Sequence, residues 1–169
     1  MSEHPRFEPG PILRRLVDAG IHFVLIGGVA SQVHGSPSLT GDLDICPATD
    51  RPNLEALAAV LRDIGAIRRG LPPDAPPMAP LDLRTLRAAA LLTLTTTYGD
   101  LDVITSPDPG FNYETLDRAA IDAELLGVPV RVAALDDVIA MKRAAGRPKD
   151  RIELEVLGAL REEIDRRAE

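Results

Sequence analysis

A chain of 169 residues, 45% apolar and 27% charged, is long enough to bury a real core in one domain and has an ordinary globular balance. A formal net charge of −7, 3% aromatic residues and no tryptophan argue against a protein that coats nucleic acid, because basic surface and rings for base stacking are both scarce. The single cysteine, Cys46, excludes an internal disulfide and a cysteine zinc cluster; no apolar run approaches the ~20 residues that span a bilayer, and the polar, proline-rich start MSEHPRFEPGP is not a signal peptide, so a cytoplasmic protein is expected.

In chain order, residues 1–10 are expected to form a mobile lead-in. Pro11 suits the first turn of a helix, ILRRLVDAG, that Gly20 ends, with Ile12, Leu13, Leu16 and Val17 on one face. The run His22–Ile26 is a strand ending at Gly27-Gly28. A helix follows to about His34 and is stopped by Gly35 and Pro37, and Asp42–Cys46 is the second strand. Asp50 and Pro52 mark the start of a helix, NLEALAAVLRDIG, whose stripe is Leu54, Leu57, Ala58, Leu61 and Ile64.

Residues 71–80, with five prolines, are an irregular connection that could act as a lid, and LDLRTLRAAA is a short helix. Leu91–Thr97 and Leu101–Ile104 form a hairpin turned at Tyr98-Gly99-Asp100. A helix at Tyr113–Ala120, a second hairpin around Gly127, a helix capped by Asp136 and a final helix from about Lys149 to Arg166 complete a chain without repeats or a domain boundary. The expectation is a single domain over 1–169, with C-terminal helices over 134–169.

The richest stretch is GGVASQVHGSPSLTGDLDI, Gly27 to Ile45. Period-two alternation puts Asp42 and Asp44 on one face of their strand and Leu43 and Ile45 on the other. Two carboxylates on one face repel in a low dielectric and become tolerable with a divalent cation between them; carboxylate ligands completed by phosphate oxygens suit Mg²⁺. Paired glycines allow close approach of a backbone, and the helix start behind them favours an anion. Asp102 sits between Leu101 and Val103, where a charge is costly unless its face is a site or solvent. Asp100 competes with it but falls in the expected turn.

This arrangement resembles the nucleotidyltransferase superfamily, whose signature is a Gly-Gly or Gly-Ser turn, a helix and an Asp-x-Asp strand. The stretch MKRAAGRPKDRIELEVL, Met141–Leu157, resembles the last motif of a narrower group, the AbiEii/MenT-type toxins of bacterial toxin–antitoxin systems. Together the two cover roughly residues 20–160. The resemblance implies an α/β (α+β) fold: a nucleotidyltransferase-like mixed β-sheet flanked by helices, with a helical C-terminal end.

It further implies that Asp42 and Asp44 hold Mg²⁺ (or Mn²⁺) against the triphosphate of a nucleoside triphosphate co-substrate. Asp102 would ligate a second metal and help deprotonate the attacking hydroxyl. Gly27 and Gly28 would cradle phosphate, Thr40 would belong to the active-site strand and Lys142 would reach the phosphates. Arg147 and Asp150 would pair to hold the C-terminal helices around the pocket. Many relatives carry an arginine before the threonine, where this chain has Pro37-Ser38-Leu39, and an aspartate where it has Glu153.

The implied reaction is transfer of a nucleoside monophosphate to a hydroxyl, with the 3′ end of tRNA as acceptor and a cognate antitoxin as partner. Arg68-Arg69, Arg84/Arg87 and Arg143/Arg147/Lys149 are the candidate local patches for RNA phosphates. The alternatives are an aminoglycoside- or lincosamide-type antibiotic nucleotidyltransferase and a non-catalytic nucleotide-binding or protein-interaction domain.

Overall fold

The computed structural model describes residues 3–72, 74 and 79–169, so half of the expected 71–80 connection lies outside the described residues. In chain order its elements are α1 (Pro9–Asp18), β1 (Phe23–Ile26), α2 (Gly27–Val33), β2 (Asp42–Pro47), α3 (Arg51–Asp63), β3 (Ile67–Arg68) and α4 (Leu83–Ala88). They continue with β4 (Leu91–Thr96), β5 (Gly99–Ile104), α5 (Tyr113–Ala119), β6 (Ile121–Leu125), β7 (Val128–Val132), α6 (Leu135–Ala145) and α7 (Pro148–Ala168). The seven strands form one mixed sheet in the order β3-β4-β5-β2-β1-β7-β6. Strands β2 and β5 run parallel at its centre, and β1 is antiparallel to β2 and parallel to β7.

The period-two reading of β2 holds: Leu43 and Ile45 are fully buried, whereas Asp42 and Asp44 are half-buried on the opposite face. Leu101 and Val103 of β5 and Leu92 and Leu94 of β4 join Leu43 and Ile45 in the core. That core also holds Leu13 and Leu16 of α1 and the stripe Leu54, Leu57 and Leu61 of α3. One face of the central sheet is thereby apolar, and the other is free to carry charge.

Several boundaries differ from the expected ones for identifiable reasons. Helix α1 begins at Pro9 rather than after Pro11, since Pro9 itself fits the first turn. Helix α6 begins at Leu135 with no side-chain cap, and Asp136, expected as its cap, instead meets Arg161 of α7 at 2.9 Å. The first hairpin turns at Thr97 and Tyr98, so Asp100 lies inside β5 and is 9% exposed, not in the turn. The two-residue strand β3 was not expected; it pairs with β4 at Ile67↔Thr95 and Arg68↔Leu94.

The lead-in is held at two points of that hairpin. Glu8 N–H donates to the Tyr98 carbonyl at 2.8 Å, and His4 Nε2 lies 3.2 Å from Asp100. Asn53, in the first turn of α3, is buried beneath the β1 and β2 ends. Its side chain accepts from His22 N–H at 2.7 Å and donates to the carbonyls of His22 at 3.0 Å and Ala48 at 2.8 Å; the His22 carbonyl also accepts from Ala48 N–H at 3.0 Å.

Candidate active site

The parallel pairing of β2 with β5 aligns Asp42 with Asp100 and Asp44 with Asp102, so four carboxylates share one sheet face. One oxygen each from Asp42, Asp44 and Asp102 lie within 4.8 Å of one another. The cluster is electrostatically unfavourable on its own. Burial, then the charges of Asp42 and Asp102, push the Asp44 carboxyl up to about 7 against the pull of Arg147 and Lys142. Burial raises Asp102 to about 6, with Arg69 pulling down and Asp42 and Asp100 pushing up. Three half-buried oxygen donors at this spacing, acceptors only when ionised, fit a hard divalent cation such as Mg²⁺ or Mn²⁺.

The glycine turn closes over this cluster. The register Ile26↔Asp44 brings the end of β1 against the acid strand, so Gly27 faces Asp44. A Cβ on Gly27 would lie 2.2 Å from Asp44 Oδ2, and its φ of +69° disfavours any other residue. A Cβ on Gly28 would lie 2.7 Å from Thr40 Oγ1. Thr40 Oγ1 in turn donates to Asp42 Oδ1 at 2.9 Å. The glycines are therefore required by the side chains of the acid strand, quite apart from any ligand. The Ser36–Ser38 turn between them is held by Gln32 Nε2 on the Ser38 carbonyl at 2.9 Å.

Helices α6 and α7 form the opposite wall. Gly146, in the left-handed region at φ +60°, ends α6, and Arg147 and Pro148 start α7. Arg147 Nε donates to Asp150 Oδ2 at 2.8 Å, the pair expected from sequence, although it lies within the first turn of α7 rather than between helices. Beside the cleft, Lys142 links the two helices: its buried Nζ lies 2.9 Å from Glu153 and 3.9 Å from Asp150. Burial raises the Asp150 carboxyl, but the hydrogen bond and charge of Arg147, with Lys142, outweigh it and hold it below its ordinary range. Ser36 Oγ donates to Glu153 at 3.4 Å and ties the network to the loop before β2.

Between the walls lies a cleft of about 600 Å³. The residues expected to bind metal or nucleotide all line it: Gly27, Gly28, Thr40, Asp42, Asp44, Asp102, Lys142, Arg147 and Asp150. Lys142 is nevertheless only 7% exposed and engaged by carboxylates, whereas Arg147 remains half open to the cleft. The arginine absent before Thr40 is replaced by Leu39, 97% exposed at the cleft's edge. Leu91, Ile104, Val138 and Met141 add further apolar lining.

Of the arginine clusters expected to meet RNA phosphates, Arg147 and Lys149 border the cleft. Arg69 instead turns inward, its guanidinium bonded to both Asp100 and Asp102. Sequence reading gave this residue to a phosphate-binding patch and missed its contact with the acids, to which the pairing of β3 with β4 brings it. Neither His22 nor His34 approaches the cluster, and His34 Nε2 is 2.8 Å from the Ala133 carbonyl.

No protein-family model matches the sequence, and no curated protein gives a significant match. Solved structures are similar in fold. A lincosamide antibiotic adenylyltransferase, LnuA, in its lincomycin-bound form superposes with a TM-score of 0.61 at 13% identity, over 92% of this chain and 99% of that one. A putative nucleotidyltransferase from Thermotoga maritima gives 0.54 at 14% identity, over 96% and 98%. The antibiotic-resistance factor ANT(2'')-Ia gives 0.53 at 15% identity, over 93% and 89%. The chain thus has a nucleotidyltransferase-like fold: a mixed sheet flanked by helices and ending in a long C-terminal helix.

Proposed function

We propose that the protein is a divalent-metal-dependent nucleotidyltransferase that moves a nucleoside monophosphate from a nucleoside triphosphate to a hydroxyl acceptor. The observation that carries this reading is the clustering of Asp42, Asp44 and Asp102 on one sheet face, under the Gly27-Gly28 turn and within a ligand-sized cleft. In this reading Asp42, Asp44 and Asp102 would hold Mg²⁺ or Mn²⁺. Bound divalent cations supply charge neutralisation at the triphosphate and polarisation of the reacting phosphoryl group.

The chain's own groups do the rest. Thr40 fixes the Asp42 carboxylate through its 2.9 Å bond, and the backbone at Gly27 and Gly28 receives phosphate oxygens at the start of α2. Arg147, facing Asp44 and Asp42 from the far wall, offsets phosphate charge. Lys142, held by Glu153, contributes from deeper in that wall. The acceptor hydroxyl oxygen bonds to the α-phosphorus, the bond from that phosphorus to the bridging oxygen breaks, and pyrophosphate leaves with the electron pair. Asp102 accepts the hydroxyl proton. Positioning and electrostatics supply most of the acceleration.

Two acceptors have support. The resemblance of Met141–Leu157 to AbiEii/MenT-type toxins supports the 3′ end of tRNA, with an antitoxin as partner, and Arg147 and Lys149 at the cleft mouth offer a small basic rim for it. A small hydroxylated antibiotic is supported by the near full-length likeness in fold to an antibiotic adenylyltransferase, LnuA, and an antibiotic-resistance factor, ANT(2'')-Ia, and by the inward commitment of Arg69.

The test is incubation with Mg²⁺ and each labelled nucleoside triphosphate, separately with total bacterial RNA, lincomycin and an aminoglycoside, alongside Asp42→Ala. Label in a tRNA-sized band, lost in the variant, establishes the RNA acceptor; label on a drug establishes the second. Full activity in Asp42→Ala, or no metal-dependent triphosphate binding, refutes the proposal.

A further inference from the structure

Arg69 sits just past β3, its backbone N–H donating to the Thr93 carbonyl at 2.9 Å, so it is fixed against the outer side of β4. From there its side chain crosses β4 to reach β5. The crossing is open because β4 carries small residues at the two positions in the way: Thr93 is paired with Asp102, and Thr95 with Asp100. The guanidinium then divides its two terminal nitrogens. One bonds Asp100, and the other donates to Asp102 Oδ1 at 2.7 Å.

Asp100 is fully engaged. Besides Arg69 it accepts from Thr95 Oγ1 at 2.8 Å and faces His4 Nε2 at 3.2 Å. Asp102 bonds Arg69 through Oδ1, and one of its carboxylate oxygens lies within 4.8 Å of oxygens of Asp42 and Asp44.

We propose that Arg69 is a positioning residue for Asp102: its planar fork uses Asp100 as an anchor to lock one Asp102 oxygen and present the other to a divalent cation shared with Asp42 and Asp44. The inference rests on the metal-dependent reading above and deepens it. It explains why β5 carries two acids on one face. Asp100 offsets the charge of Arg69, so the cluster gains a fixed geometry with no net positive charge added beside it. A lysine could supply the charge but not two donors in one plane. Partners that orient a ligating carboxylate in this way are commonly worth about 10–100-fold in metal affinity.

Charge and geometry make opposite predictions here, which makes the inference testable with Mn²⁺ alone. Free Mn²⁺ is counted by electron paramagnetic resonance during titration of the full chain without nucleotide, with melting temperatures recorded for every variant. Asp44→Asn is the site control. The expected result is that Arg69→Lys and Arg69→Gln both bind Mn²⁺ about tenfold more weakly than the wild type. The double variant Arg69→Gln/Asp100→Asn, which restores the wild-type net charge, stays as weak.

The inference is overturned if Arg69→Lys binds like the wild type, since charge alone then suffices. It is overturned if Arg69→Gln binds more tightly, since the guanidinium then merely repels the cation, or if the double variant recovers. A lower melting temperature with unchanged Mn²⁺ affinity also overturns it, by reducing Arg69 to a strap between strands. Should Arg69→Gln fail to fold, Arg69→Lys and the charge-balanced double variant decide. Absence of any binding sensitive to Asp44→Asn in the wild type overturns the metal-dependent reading itself, and this inference with it.

Discussion

Replacing Asp44 by asparagine should stabilise the metal-free protein at alkaline pH while abolishing its response to metal. In the folded chain the Asp44 carboxyl is held at about 7, against an ordinary value of 3.8, chiefly by burial and then by Asp42 and Asp102. Between those two values the unfolded chain releases a proton that the folded chain keeps, so the folded state binds more protons and stability falls as pH rises. The contribution is fully present below 3.8 and is lost as pH rises through 7. Integrated from pH 5 to pH 8 it amounts to about 2–3 kcal/mol, which for a domain of this size is roughly 5–10 °C in melting temperature.

The assay is thermal unfolding of wild type and Asp44→Asn across pH 5–8, once in EDTA and once in Mg²⁺. In EDTA the stability gap should open in favour of the variant as pH rises. In Mg²⁺ the wild type should recover and the variant should not. A gap that is constant with pH would refute the electrostatic account, and a variant that still responds to Mg²⁺ would remove Asp44 from the metal site.

Four further outcomes follow from the same geometry. Gly27→Ala and Gly28→Ala should lose metal-dependent triphosphate binding at least tenfold, because the new Cβ would lie 2.2 Å from Asp44 Oδ2 or 2.7 Å from Thr40 Oγ1. Gly20→Ala, at the same φ of +69° but with nothing within 4 Å, should cost about 1 kcal/mol of stability and no binding, as isothermal titration would register. Asn53→Leu should lower stability by about 2–4 kcal/mol in urea unfolding, since it orphans the His22 amide and the Ala48 carbonyl. Cys46, buried and with its thiol pushed up to about 12 by burial and then Glu114, should react with a thiol reagent only at the rate of unfolding; prompt labelling of the native protein would contradict its placement.

The legible parts of this sequence are those whose cause is local. The alternation Asp-Leu-Asp-Ile and the leucine stripe of α3 each follow from a period set by one element, and each stands where expected. What was illegible depends on partners distant in sequence. Asp100 reads as a turn residue until β5 is seen to begin at Gly99, where it pairs with Thr96 of β4. Arg69 reads as surface charge until β3, two residues long, carries it to acids 31 and 33 positions away. Lys142 reads as a free cation, yet the crossing of α6 and α7 commits it to Glu153, 11 positions on.

The glycine turn and the acid strand show how a local motif can be right for an incomplete reason. Gly27-Gly28 reads as a place where backbone must come close to a ligand. The geometry sets a prior requirement, because antiparallel pairing of β1 with β2 puts Ile26 opposite Asp44 and so brings Gly27 against that carboxylate, with Gly28 against Thr40. The two halves of the motif are separated by a helix and a turn but are one packing unit. A side chain on either glycine would displace an acid or the hydroxyl that orients one. The spacing between them is therefore constrained by the fold before any nucleotide binds. For that reason the Gly20→Ala control matters: only a difference between equally left-handed glycines separates the cost of backbone conformation from the cost of moving Asp44.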